Sequence, residues 1–313
     1  MSWLLALLQT LAFVLLAPLF AGWVKRVKCW LQNRRPPPLL QPYRDLRKLF
    51  AKQVLLSHHA SPLFRVAPYI IAGATLLAAA VVPLLAVNLP TAAIADVIVL
   101  AGFFALARFF LALAGMDVGT AFGGMGSSRE MTISALAEPA MLMAVFTLAM
   151  VAGSTNLSTV ISHLLDDGLV LRPSLLFALL SLVLVAIAET GRIPVDNPAT
   201  HLELTMVHEA MILEYSGRHL ALMEWAAQLK LLIYGVIIAN VFFPWGIAAE
   251  AGGGALLLAV VAIGLKLGVL GTALAVGETV LAKMRLFRVP AFLVLALTLA
   301  LIGLLSHIIL EVA

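Results

Sequence analysis

The chain has 313 residues, 63% of them apolar and only 12% charged, against roughly 45–50% and about 25% in ordinary soluble domains. A soluble protein with a large core would still need a charged surface, so this composition excludes one and places the chain in lipid. The formal charge of +4 is concentrated, with ten of the twenty Lys and Arg between Lys25 and Arg65 and Asp45 the only acid among them; beside a membrane span this reads as the positive-inside bias rather than a nucleic-acid surface.

In chain order, eight stretches are long and apolar enough to cross: Trp3–Val24, Val66–Val87, Ala92–Ala114, Ile133–Val151, Arg172–Ala188, Ala226–Ile247, Gly254–Val276 and Ala291–Ile309. The first lacks the basic start and small-residue cleavage pattern of a signal peptide and reads as a retained span. The fifth is the shortest, at the lower limit of about 17 residues for a spanning helix. Unpaired backbone is too costly in hydrocarbon for anything but helices or a closed barrel, and the alternating short strands of a barrel are missing. The expected fold is therefore all-α and polytopic, one integral membrane domain over residues 1–313.

With eight spans, the basic 25–65 loop and the 278–290 loop with Lys283, Arg285 and Arg288 fall on one side. That side is expected to be cytoplasmic, with both termini periplasmic. Within the first loop, Tyr43–Leu56 separates Leu46, Leu49, Phe50 and Val54 with charges, the pattern of a short interfacial helix. The cations of this loop serve either anionic lipid headgroups or a docked cytoplasmic partner. Its single cysteine, Cys29, leaves the chain without an internal disulfide or iron–sulfur cluster. Gly115 to Gly126 holds glycines suited to bends or tight approaches, and the helix before them argues against a phosphate-binding loop.

Asp96, Arg108, Glu138, Lys230, Lys266 and Glu278 lie within or at the edges of spans, where an ion facing lipid costs roughly 2.5–3.5 kcal/mol. Arg108, Lys230 and the edge acids have snorkelling to the interface as an alternative. Lys266 is close to mid-span and points to a buried pair or a proton relay. Glu138 precedes Pro139 and suggests either a hydrated pocket or a helix-start carboxylate.

The connector from Glu189 to Glu224 departs most from the rest of the chain, with six of the sixteen acids and three of the seven histidines. Asn197 and Pro198 read as the cap and first residue of a helix running to about Glu214. On such a helix Glu203 and Glu214 lie within about 20° of each other, and His201 and His208 lie nearly opposite. The histidine spacing does not suit a shared metal, so no metal site is expected. Closely set carboxylates beside a dry interior suit proton exchange.

Taken together, several motifs carry a family resemblance. They are Asn33-Arg-Arg-Pro36 with Gln41-Pro-Tyr-Arg-Asp45, Ala107-Arg-Phe-Phe110 with Gly115, Asp117 and Gly119, Gly126-Ser-Ser-Arg-Glu130 with Glu138-Pro139, Glu189-Thr-Gly-Arg-Ile-Pro-Val-Asp196, and Glu214-Tyr-Ser-Gly217. Over nearly all its length the sequence resembles the membrane subunit 1 family of respiratory NADH:quinone oxidoreductase. It is most similar to the hydrogenase branch, that of hydrogenase-4 component C and formate hydrogenlyase subunit 4. The resemblance implies a non-catalytic membrane anchor that couples electron transfer in a peripheral arm to proton or sodium translocation in the bacterial inner membrane. It implies a hydrogenase-like large subunit, a small iron–sulfur subunit, a ferredoxin-like subunit and antiporter-like membrane subunits as partners, besides lipids and without nucleic acid. Iron–sulfur clusters, and a nickel–iron centre in hydrogenases, would then belong to the partners and none to this chain.

Carried onto this sequence, the resemblance assigns proton or ion coupling to Glu138, Glu189, Asp196, Glu203 and Glu214, joined by Lys266 from the reading of the spans. It assigns Arg35, Asp117, Arg129, Glu130 and Arg192 to the interface or cavity beneath the redox arm. Pro36 stands where the respiratory enzyme has glycine, and Ala199 and His201 where it has carboxylates. These departures favour the hydrogenase type over a quinone-binding subunit of a respiratory complex. A stand-alone ion transporter is the rival from another class, and a purely structural anchor is a third.

Overall fold

The computed structural model describes residues 2–87, 89–167, 172–197, 206–248 and 252–311, and these are helical apart from two isolated β-bridges, short 3-10 and π turns and loops. In chain order the helices are α1 Ser2–Leu31, α2 Gln41–Ala51, α3 Pro62–Val81, α4 Val97–Asp117, α5 Ala121–Ala152, α6 Leu157–Asp166, α7 Pro173–Glu189, α8 His208–Ile212, α9 Gly217–Val241, α10 Gly253–Val280 and α11 Val289–Ser306. Each of the eight expected spans is present, seven of them long and apolar enough to cross, and α7 a shorter apolar helix. Helix α2, Gln41–Ala51, covers most of the short helix expected over Tyr43–Leu56 and stops before Val54; α6 is an addition to the expected set.

Capping explains several boundaries. Ser61 accepts the Leu63 amide at 3.1 Å ahead of Pro62, and Asp96 accepts the Ile98 amide at 2.7 Å. Asp96 is thus the N-cap of α4, also accepting the Thr155 hydroxyl at 2.6 Å, and not a bare intramembrane charge. Helix α5 starts at Ala121, capped by Thr120, well before the expected Ile133. Its polar first turns lie against protein, so hydropathy alone does not reveal them. Glu138 is consequently mid-helix, which removes the helix-start reading.

The long helix expected from Asn197 to Glu214 does not form as one piece: Met206 and Val207 are non-helical, α8 has five residues, and Glu214 lies in a turn. His201 and Glu203 fall outside the described residues. The reason is local: Asp196 Oδ2 accepts the Val207 and His208 amides, both at 3.3 Å, fixing the chain there before α8 begins.

Helix α9 is the axis, packed by α1, α3, α7 and α10 and by α2 at one end. Its apolar window is 61% buried and that of α10 only 17%, so α10 stands at the rim. Glycines let α8 approach closely: a Cβ on Gly126 would stand 2.9 Å from the Val207 carbonyl, and one on Gly115 3.1 Å from Met211 Cγ. Gly119, at φ +71°, makes the turn from α4 to α5.

At the opposite end of the bundle α3 stops at Val81 and the chain continues non-helically. Buried Gln9 from α1 accepts the Leu85 amide at 3.1 Å and donates to Val82 O at 3.3 Å. Asn240 from α9 donates to Pro83 O at 3.0 Å and Leu84 O at 3.1 Å. Backbone pairing of Leu85 and Val87 with Ala248 completes the set. Irregular backbone among membrane helices needs such partners.

Candidate functional site

Helices α4, α5 and α7 meet at one guanidinium, and α9 adds a second cation. Arg108, on α4, has a side chain only 4% exposed. One of its terminal nitrogens lies 2.8 Å from Glu138 Oε1 on α5 and also donates to Ser134; the other donates to Glu189 at the end of α7. Its Nε is 3.7 Å from Glu130 Oε1. Lys230, on α9, reaches Glu189 Oε2 at 2.7 Å. Snorkelling is thereby excluded for both cations, since each is held by acids inside the bundle. A buried charge is tolerated when it is paired and hydrogen-bonded in this way.

Two adjoining cavities lead from this cluster toward the basic end. One, of about 80 Å³, is lined by Arg108, Glu130, Glu189, His208 and Lys230 among apolar residues. The other, of about 20 Å³, shares Glu130, Glu189 and His208 and extends to Asp196 and Val207. The first has room for several water molecules beside polar partners and the second for about one. Asp196 is in turn bound by Lys283 at 2.8 Å.

His208, on the shared wall, is held below its ordinary pKa of 6.5 by burial, against the pull of Glu224 and Asp196. Its neighbour Glu209 is pushed up to about 7, first by burial and then by Glu224 and Asp196. Glu209 therefore exchanges its proton close to neutrality, the range suited to proton transfer. Sequence reasoning sets the histidines aside as metal ligands without singling out His208, and misses Glu209, whose environment depends on tertiary burial.

The remaining candidate residues are spread along the basic end. Glu278 is held by Lys28 at 2.8 Å and Arg192 at 3.2 Å. Arg129 donates to Met206 O at 2.7 Å, and Asp117 accepts the Ser61 amide at 2.8 Å, so both tie loops together. Arg35 and Glu214 are exposed at the surface, away from the cavities. Lys266 lies midway along α10, donating to Asn240 Oδ1 at 3.3 Å. The structure thus gathers Glu130, Glu138, Glu189 and Asp196 around Arg108 and the cavities. Arg35, Asp117, Glu214 and Lys266 stand apart. Among the described residues no group of three or more His, Cys, Asp or Glu is arranged to hold a metal ion.

Comparison with known proteins agrees with this architecture. The family model described as NADH dehydrogenase matches residues 4–308. Formate hydrogenlyase subunit 4 of Escherichia coli (strain K12) is 36% identical over 290 residues, covering 93% of this chain and 94% of that protein. Hydrogenase-4 component C of the same organism is 34% identical over 280 residues, covering 90% and 88%. NADH-quinone oxidoreductase subunit 8 of Rhodothermus marinus is 24% identical over 250 residues, covering 77% and 72%. A chain in the structure of the membrane-bound sulfane sulfur reductase, an archaeal respiratory membrane complex, shares the fold with a TM-score of 0.79 at 20% identity, covering 97% of this chain and 98% of that one. The chain belongs to the NADH dehydrogenase family, as a multi-pass membrane member similar to formate hydrogenlyase subunit 4 and hydrogenase-4 component C.

Proposed function

We propose that this chain is the membrane anchor and coupling subunit of an energy-converting complex of the hydrogenase-4 and formate hydrogenlyase type. It links electron transfer in a peripheral arm to translocation of protons or sodium and carries no catalytic group of its own. The reading rests on one observation: two adjoining cavities run from Asp196 and His208 to Arg108, Glu130, Glu189 and Lys230, with the half-exposed Glu138 bonded to the far side of Arg108. The similarity to the two Escherichia coli subunits supports the setting. The 25–65 loop and the 189–224 connector are assigned to the cytoplasmic side of a bacterial inner membrane, both termini to the periplasm.

On this reading the basic end faces a hydrogenase-like large subunit, a small iron–sulfur subunit and a ferredoxin-like subunit, whose clusters carry the electrons. Antiporter-like membrane subunits lie beside the bundle. An electron arriving about 15 Å from a carboxylate, at an effective dielectric of about 20, favours proton uptake there by about 1 kcal/mol. That is a little under one pKa unit, enough to shift the protonation of Glu209, which titrates at about 7. Asp196 and His208 are assigned the entry, and the Arg108 cluster the far end, where a proton moving onto an acid alters its hold on the shared cation. Glu203 is kept as a proposed member of the entry on the strength of its motif.

The experiment is ion translocation per electron in vesicles holding the assembled complex. Glu138→Gln, at the half-exposed edge of the cluster, is expected to keep assembly and electron transfer while ion movement per electron falls severalfold. An unchanged ratio, with Glu189→Gln also unchanged, removes the cluster from the route.

A further inference from the structure

Lys266 lies near the middle of the 28-residue α10, about 20 Å from either end at about 1.5 Å per residue. Its only acceptor among the described residues is Asn240 Oδ1 at 3.3 Å, a neutral amide. That amide is not free to turn, because its nitrogen already donates to Pro83 O and Leu84 O. Asn240 therefore aims its oxygen at the ammonium and leaves two of the three Lys donors to be met elsewhere. No carboxylate of the described residues pairs with Lys266, in contrast to Arg108, Lys230 and Lys28. Helix α10 is also the least covered of the spans, with Leu257, Leu258, Val261, Leu265 and Val269 exposed along it.

We propose that Lys266 is the docking charge for a transmembrane helix of a different subunit, which lies along α10 and brings an Asp or Glu to mid-membrane. A cation at this depth calls for an anionic partner or water. Lipid phosphate stays at the interface, about 20 Å away along the helix. A second copy of this chain offers no suitable acid among the described residues of its spans, Glu224 lying in the first turns of α9 beside His208 and Glu209 and the others being held. Glu138 and Glu189 hold Arg108, Glu278 holds Lys28 and Arg192, and Asp96 caps α4. The partner is thus a membrane subunit of other sequence, and the inference rests on the reading that this chain works within a multisubunit complex.

The test uses the complete complex purified from its native membrane into nanodiscs. An electron cryo-microscopy map is expected to show a carboxylate from another subunit's helix within about 4 Å of Lys266 Nζ. Lys266→Glu should weaken retention of that subunit by roughly 30-fold or more, read by native mass spectrometry across a dilution series. Lys266→Arg should retain it, and reversing the partner's acid to Lys should restore it to Lys266→Glu. An assembled complex in which Lys266 faces lipid tails or a chain of water, or in which Lys266→Glu keeps every subunit, overturns this proposal alone. A chain that purifies without any partner overturns the proposed function as well.

Discussion

Replacing Arg108 with Met tests the ionic cluster on which the site is built. The wild-type guanidinium stands among three carboxylates, bonded to Glu138 and Glu189 and 3.7 Å from Glu130, with its side chain only 4% exposed. Without it, Glu189 keeps Lys230, Glu138 keeps the Ser134 hydroxyl, and Glu130 loses its cation, so three acids share one Lys. Removing one partner of a buried ion pair costs about 3–5 kcal/mol. With each kcal/mol lowering the melting temperature of a larger domain by about 2–4 °C, Arg108→Met should melt roughly 6–20 °C below wild type. The assay is thermal unfolding in nanodiscs, followed by tryptophan fluorescence. The double variant Arg108→Met with Glu189→Met removes a charge of each sign and should lose less than the sum of the single changes, by about 0.5–3 kcal/mol. A single variant melting within about 2 °C of wild type would refute the claim that these acids depend on Arg108.

Other outcomes follow from the same geometry. Gly126→Val should loosen α8, because a Cβ would stand 2.9 Å from Val207 O and from Ala210 Cβ; hydrogen exchange should rise over 206–212, and an unchanged profile would contradict the close packing. Glu209, with a folded pKa of about 7 above its ordinary 4.5, binds a proton in the folded state that the unfolded chain has released, so its stabilisation is full at low pH and is lost as pH rises toward 7. An infrared carboxyl band that fades with a midpoint near 7 and is missing in Glu209→Gln checks this. His208, with its pKa lowered, works in the other sense: the unfolded chain takes up the proton first, so stability falls as pH drops below 6.5, and His208→Gln should flatten that loss in unfolding titrations. Asn240→Ala strips donors from Pro83 O and Leu84 O and should cost about 2–6 kcal/mol, at about 1–3 per unsatisfied group, read as a lower unfolding midpoint in denaturant.

The spans and α2 are legible because lipid imposes length and hydropathy on the sequence itself, and the acid-bearing motifs draw attention to Glu130, Glu138, Glu189 and Asp196 before any contact is known. Arg108 is the ambiguous case. Snorkelling and burial make the same demand on sequence, and only the convergence of α4, α5 and α7 separates them. The start of α5 is hidden because Ser127, Arg129 and Glu130 look like a loop to hydropathy yet face protein. The connector reads as one long helix because its spacing suits one, while the bonds from Asp196 to the Val207 and His208 amides, joining positions eleven and twelve residues apart, hold it otherwise. Gln9 and Asn240 give no signal: a lone amide in an apolar run has meaning only once the broken end of α3 lies beside it.

The most direct test of the coupling claim is the infrared difference spectrum between the oxidised and reduced states of the assembled complex. Reduction is expected to produce carboxyl bands that disappear selectively in Glu130→Gln or Glu138→Gln while the clusters still reduce. A spectrum whose carboxyl region is identical in wild type and in both variants would mean that these acids do not sense the electrons, and would contradict the account.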